Sequence, residues 1–422
     1  MHPSSRAKGA RPLLVALAAG SLVARPFADP LGAQETAPAL EVTAQAVVAY
    51  THLDPIPGRG SLGEVRVVHP LVTLEAATPG GRFAVRGSFN LDGWTVPDGE
   101  LAIGVWGEGF VDRRHPHTYV HELLLVGRDL LGSRDGRLDL SLALGKGFVP
   151  FGTDDPMSRP PLRYPVNHHL SQILERALAL GAARYGPVVA EAAVFNGDEP
   201  DRPGRWPNLH RFGDSWAARL TVHPVDRLEL QLSHADVFSP EHRPGGGIEQ
   251  TKWSASARWS GPLRGVPVYG LVEWARTSEA GGFFEFETVL VEGAIRIGPH
   301  RPYYRLERTE RPEEHRAFDL FRSPRPHIEN VILGVTRWTI HTLGYRHDVR
   351  PRLGALELAP FVEASFARAA KVDDGVFDPE TFYGRDRFWS ASLGVRIGWG
   401  MDGHRMGRYG AAAQPAHGAH RH

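Results

Sequence analysis

Cysteine is absent from the chain. Disulfide frameworks, thiol nucleophiles and cysteine-ligated metal centres are thereby excluded, and passage through an oxidising compartment threatens no thiol. Lysine is nearly absent too: Lys8, Lys146, Lys252 and Lys371 are all there is among 48 basic residues. Interior positive charge therefore falls to arginine, whose planar fork suits carboxylates and phosphates better than an ammonium does. The 48 basic residues meet 48 acidic ones. A net charge of zero removes any global electrostatic case for a nucleic-acid partner. Beyond the N-terminal region no run approaches the roughly 18 consecutive apolar residues of a transmembrane helix.

Catalytic signatures are missing as well. There is no Gly-x-Ser-x-Gly, His-Glu-x-x-His, Walker-type loop or Rossmann fingerprint. The paired acids Asp154-Asp155 and Glu313-Glu314 are adjacent, and neighbours on extended backbone point apart, which makes them poor acid/base pairs. No cofactor is implied, and an enzyme is not the expected class.

What is present begins with an export signal. Arg6, Lys8 and Arg11 supply a positive start, and residues 13–24 (LLVALAAGSLVA) form an apolar core too short to remain as a spanning helix. Leu31-Gly32-Ala33 offers small residues at the cleavage positions, so residues 1–33 are expected to be removed, with Ala28 as the second candidate site.

The mature chain reads as all-β. Forty-seven glycines and 34 prolines suit many turns. In residues 252–260 (KWSASARWS), Trp253, Ala255, Ala257 and Trp259 oppose Lys252, Ser254, Ser256 and Arg258. Residues 215–223 repeat the pattern with Trp216, Ala218, Leu220 and Val222 on one face. Residues 138–147 set Leu138, Leu140, Leu142 and Leu144 against Asp139, Ser141 and Ala143. Such period-two alternation belongs to strands with one apolar face. A sandwich would turn that face inward, and a membrane barrel would turn it to lipid. Two features favour the barrel. Its polar face carries Ser, Gly, Ala and isolated charges, as a wet lumen tolerates. Trp389 and Trp399 also bracket ten residues, which at about 3.3 Å each and a tilt of about 40° rise roughly 25 Å, the height of an outer-membrane apolar band.

Connections alternate between short and long. Seven short turns lie near residues 79, 134, 186, 225, 264, 299 and 352, and eight longer loops lie between them. The expectation is a single antiparallel transmembrane β-barrel of about 16 strands (14–18 accepted) over residues 34–399. Its ends meet through pairing of residues 42–50 with 388–399. Residues 328–349 must then form one long strand whose face pattern changes near Trp338 and Ile340, where a bulge or extra hairpin is allowed. Residues 400–422, rich in Gly, Ala and His, read as a flexible tail dispensable for folding.

Two segments resemble known families. Residues 392–399 (SLGVRIGW) resemble the C-terminal signal by which outer-membrane barrels are recognised for assembly, although here the aromatic residue is not the last. Residues 145–152 (GKGFVPFG) resemble the strand-to-loop segment of porins of the phosphate-selective type. The resemblance implies an outer-membrane diffusion channel with the barrel-assembly machinery, outer-membrane lipid and lipopolysaccharide as partners, and homo-oligomerisation. The lysine-rich lumen of that specificity is missing, so no phosphate-binding set is carried over.

Candidate site residues follow from the faces and from the longest loop, residues 148–176. That loop carries Asp154, Asp155, Arg159, Arg163, His168, His169, Glu175 and Arg176. Folded into the lumen, it would set selectivity by its charges; folded on the rim, its charges would be merely solvated. Wall candidates are Arg219, Arg258, Arg296 and Arg396, opposed by Glu229 and Glu292. Lys146 shares the parity of Leu142 and Leu144, so it is expected to snorkel at the rim. His115, His117 and His121 share a face on extended backbone and could converge on zinc or copper. The stretch from Met157 to Leu174 holds Arg159, Arg163 and two histidines but no carboxylate, which implies a weakly anion-preferring channel for small hydrophilic solutes. The alternatives are an outer-membrane barrel enzyme with Ser, His and acid converging at the rim, or a secreted β-sandwich with two facing apolar sheets.

Overall fold

A strand with one apolar and one polar face can bury the first against a second sheet or close into a ring with the second inside. This chain takes the closed form. The structure, a computed structural model, describes residues 39–54, 61–95, 117–132, 137–154, 159–161, 165, 168–200, 203–238, 249–314, 332–349, 355–372, 378–400 and 405–413. The signal segment lies outside the described residues.

Sixteen strands form the sheet. They are β1 (Ala39–Asp54), β2 (Leu62–Ala77), β3 (Phe83–Asn90), β4 (Val120–Gly132), β5 (Leu138–Gly147) and β6 (Arg176–Tyr185). Next come β7 (Val188–Phe195), β8 (Ser215–Val225), β9 (Leu228–Phe238), β10 (Glu249–Leu263) and β11 (Val266–Glu279). The last are β12 (Phe284–Ile295), β13 (His300–Glu314), β14 (Ile332–His347), β15 (Leu356–Lys371) and β16 (Arg387–Trp399). Each pairs antiparallel with its chain neighbours, and β1 closes on β16 from Ala44↔Trp399 to Asp54↔Trp389. Closure leaves no sheet edge.

Polarity is inverted relative to a soluble core. Leu125, Leu142, Leu144, Leu232, Val272, Leu343 and Leu393 are exposed on the outside. Ser88, Glu122, Asp139, Glu191, Glu273, Glu292 and Arg305 are buried on the inside. Trp216, Trp253, Trp389 and Trp399 stand on the outer face, and half-buried Trp259 shares their parity. His234 stacks between Trp216 and Trp253 at 5.1 and 4.2 Å, one arc of an aromatic girdle. Among the described residues the facing apolar sheets of a sandwich are not found.

β14 is the one long strand expected, and Trp338 and Ile340 keep the inward parity without a bulge. Three local readings of the sequence need correction. The connection near residue 281 is a tight turn, Ala280–Gly282, and not a long loop. The alternation of β5 breaks at Gly145, where φ is 138° and an added Cβ would sit 2.1 Å from the Leu123 carbonyl oxygen. That break turns Lys146 into the lumen, where it is fully buried; it does not snorkel at the rim.

The third correction concerns the C-terminal tail. Residues 405–413 run inside the barrel, with Met406, Arg408, Tyr409 and Ala411 buried. The flexible reading fails there because arginine, tyrosine and small residues meet a polar wall that takes them; residues 414–422 lie outside the described residues.

Candidate functional site

The long loop after β5 enters the lumen. Its two legs are tied by a Val149 N–H donating to the Ile173 carbonyl at 3.0 Å. Phe148, Val149 and Phe151 pack with Leu124, Ile173 and Leu174 in a buried apolar cluster at the loop's root. Gly152 ends the Pro-Phe-Gly segment at φ 64°, with an ideal Cβ position 1.7 Å from the Ser171 carbonyl oxygen, so only glycine makes this turn.

From there the loop crosses to the far wall. The Gly152 N–H donates to Ser233 Oγ on β9 at 2.9 Å, and Thr153 Oγ1 donates to Glu273 on β11 at 2.6 Å. Arg159 donates to the Asp154 carbonyl at 2.9 Å and to Thr153, and it lies 3.8 Å from Glu273 and 3.7 Å from Glu292. Arg305 on β13 pairs with Glu292 at 2.8 Å and donates to the Pro161 carbonyl at 3.3 Å. The loop is thus sewn across the interior from β5 to β13.

The wall candidates on strands fall inside as their parity required, and most are committed to partners; Arg296 lies just past the end of β12, exposed at the cavity's rim. Arg219 forks onto Glu191 with two bonds of 2.6 Å and donates to the Gly152 carbonyl at 3.1 Å. Asp154 lies 2.5 Å from Arg258 and 2.9 Å from Arg405. Burial works against its charged form, yet Arg258, Arg405 and Arg408 together hold its carboxyl well below the usual carboxylate range. Glu229 accepts from Arg405 at 2.7 and 2.9 Å. Arg176 is not a constriction residue: it starts β6 and binds the Leu174 and Gly197 carbonyls at 2.6 and 3.1 Å, clamping loop roots. Asp155 and Arg163 lie outside the described residues, and of His168 and His169 only the backbone is described, in the short helix His168–Ser171.

A cavity of about 470 Å³ lies between the loop and the short-turn end, against β10 to β16. It is lined by seven arginines (Arg159, Arg258, Arg296, Arg301, Arg346, Arg396 and Arg405) and three carboxylates (Asp154, Asp348 and Glu357). Arg346 and Arg301 share Asp348 at 2.7 and 2.9 Å, and Arg396 donates to Gln45 at 2.7 Å. Sequence parity anticipated Arg258, Arg296 and Arg396. It missed Arg301 and Arg346, whose inward parity on β13 and β14 is legible, and Arg405, which is not on a strand.

The histidine expectation is met in part. His115 lies outside the described residues, while His117, His121 and Glu175 bring donor atoms within 4.8 Å of one another. A register shift beside Ser88 lets His121 and Glu122 both point inward. His121 Nδ1 lies 2.5 Å from Glu175, which also accepts the Thr118 N–H at 2.9 Å. Lys146 donates to Thr118 and lies over the Trp206 ring at 5.6 Å. Burial would raise the Glu175 carboxyl, but Lys146, then His121 and His117, bring it down to about 2. Lys146 thus supplies positive charge beside this cluster, which sits where the loop returns to the wall. Thr118 Oγ1 donates to the Val120 carbonyl at 2.9 Å.

No protein-family profile and no curated protein matches the chain. Solved structures do. An anion-selective porin from Comamonas acidovorans aligns with a TM-score of 0.50 and 10% identity, over 86% of this chain and 100% of that one. OmpT, an outer membrane protein of Vibrio cholerae, aligns at 0.48 and 10% over 88% and 100%. OccK2 of Pseudomonas aeruginosa aligns at 0.39 and 14% over 85% and 97%. At such identities the likeness is one of fold, and the Comamonas porin alone among these three reaches the level at which it supports one.

Proposed function

We propose that this protein is an outer-membrane, porin-like channel for passive diffusion of small hydrophilic solutes, with a preference for anions, and not an enzyme. The single observation behind the reading is the cavity beneath the loop, where seven guanidinium groups face three carboxylates. In a confined, partly desolvated passage each fixed charge acts more strongly than on an open surface. An excess of one sign along the wall raises the local concentration of the other. In this reading the apolar outer face meets lipid, the long loops lie on the outer side and the short turns in the periplasm.

The seat of the anion preference differs from the one the sequence suggested. Arg159 is neutralised between Glu273 and Glu292, so the loop arginine positions the constriction and contributes little net field. The wall arginines Arg301, Arg346 and Arg396 carry the excess. Lipid, lipopolysaccharide and the assembly machinery remain the partners this reading requires, and self-association is part of it.

Liposome swelling tests the reading. Vesicles holding the refolded barrel should admit small carboxylates faster than neutral sugars of equal size, and both faster than protein-free vesicles. Equal swelling with and without protein would refute the channel, and faster entry of amines than of carboxylates would refute the anion preference.

A further inference from the structure

We infer that residues 405–413 form a fixed insert inside the barrel, which fills the β4–β9 half of the lumen, braces the constriction loop and sets both width and charge of the passage. The inference rests on the channel reading above for its conductance arm, but the placement can be tested without it.

The segment is built into its surroundings at every step. Arg405 joins Glu229 on β9 to Asp154 of the loop, at 2.7 and 2.9 Å. Arg408 lies 3.4 Å from both Glu191 and Glu229. The Gly407 carbonyl accepts from Arg219 at 3.1 Å, so one guanidinium holds wall, loop and tail together. Tyr409 donates to Glu122 at 2.6 Å and accepts the Phe148 N–H at 2.9 Å, where the loop leaves β5. Ala411 N–H donates to Ser141 Oγ at 2.8 Å.

Backbone freedom and charge agree with this placement. Gly407 and Gly410 sit at φ 82° and 52°, and a Cβ on Gly410 would fall 2.1 Å from Ser141 Oγ. A glycine is required there only if the segment lies against the wall. Glu191 and Asp154 keep Arg219 and Arg258 as partners, but buried Glu229 takes its ion pairs from Arg405 and Arg408, and losing both is a costly state in an enclosed site. Every group that meets the insert is buried, so it acts as a wedge and not as a swinging gate.

Because the chain has no cysteine, a Ser141→Cys, Ala411→Cys pair reports placement alone. Oxidation should yield one intramolecular disulfide in the folded barrel, read as a gel shift, and leave single-channel conductance unchanged. No disulfide, or conductance altered by locking, would overturn the fixed insert. Truncation after Gly400 keeps β16 intact and should still give a heat-modifiable barrel. Its conductance should rise about twofold, and its reversal potential should move toward cations as Glu229 loses Arg405 and Arg408 and Asp154 loses Arg405 but keeps Arg258. Arg405→Gln should move the potential in the same direction with conductance nearly unchanged. A truncated barrel that conducts and selects like the full chain would refute the insert's role. Should the full chain form no channel while the disulfide forms, the channel reading fails and the role in setting the passage falls with it, leaving only the placement.

Discussion

Glu175 shows how a single side chain is fixed by charge in this interior. Glu175 takes up a left-handed backbone at φ 58°, a strained state for a residue other than glycine. Its carboxylate repays this by accepting the Thr118 N–H and facing Lys146 and His121. Its pKa of about 2 in the folded state lies below the ordinary value of about 4.3. Its stabilisation is therefore complete above that ordinary value and is lost as the pH falls toward about 2. Glu175→Gln should destabilise the barrel at pH 7 by about 3 kcal/mol, because Lys146 then faces a neutral amide in a buried site. Thermal unfolding followed by gel mobility at several pH values checks this: the gap between wild type and variant should close by about pH 2. A gap independent of pH would show that shape, and not charge, matters there.

At the scale of elements, glycines decide where strands stop alternating and where the loop turns. Gly145→Val would drive a side chain into the Leu123 carbonyl, 2.1 Å from the ideal Cβ position, and should cut the yield of heat-modifiable barrel sharply, at a cost of about 3 kcal/mol. Gly186→Ala is the control: φ is also positive, at 57°, but nothing lies within 4 Å, so the cost should stay near 1 kcal/mol. Gly152→Val blocks the turn that carries the loop inward; circular dichroism should retain full strand content while conductance rises, and an unchanged conductance would show that the loop does not set the bore. These positions also mark what the sequence could show. Period-two alternation in residues 252–260 and 215–223 survives folding, so strands, their number and the closure of β1 on β16 were legible. The irregular steps beside His121 and at Gly145 shift parity by one residue without altering composition, so Lys146 was assigned to the wrong face. Within residues 400–422 the Gly, Ala and His content masked Arg405, Arg408 and Tyr409, whose partners lie on strands far away in the chain. The loop's inward path could not be read locally, since it depends on Ser233, Glu273 and Arg305 waiting on the opposite wall.

For the whole molecule, neutrality hides a strong internal division. The 48 acidic and 48 basic residues cancel, yet one side of the lumen is occupied by loop and tail in mutual ion pairs, and the other carries surplus guanidinium groups. Asp154 joins the two halves through Arg258 and Arg405. In the proposed channel this surplus selects the solute. The reversal potential of single channels in planar bilayers, across a potassium chloride gradient at neutral pH, tests this most directly. The wild-type protein should give a potential of the anion-selective sign, shifted toward zero when Arg301, Arg346 and Arg396 are together replaced by serine, at similar or slightly higher conductance. A cation-selective potential, or an anion-selective one that the triple replacement leaves unchanged, would contradict it.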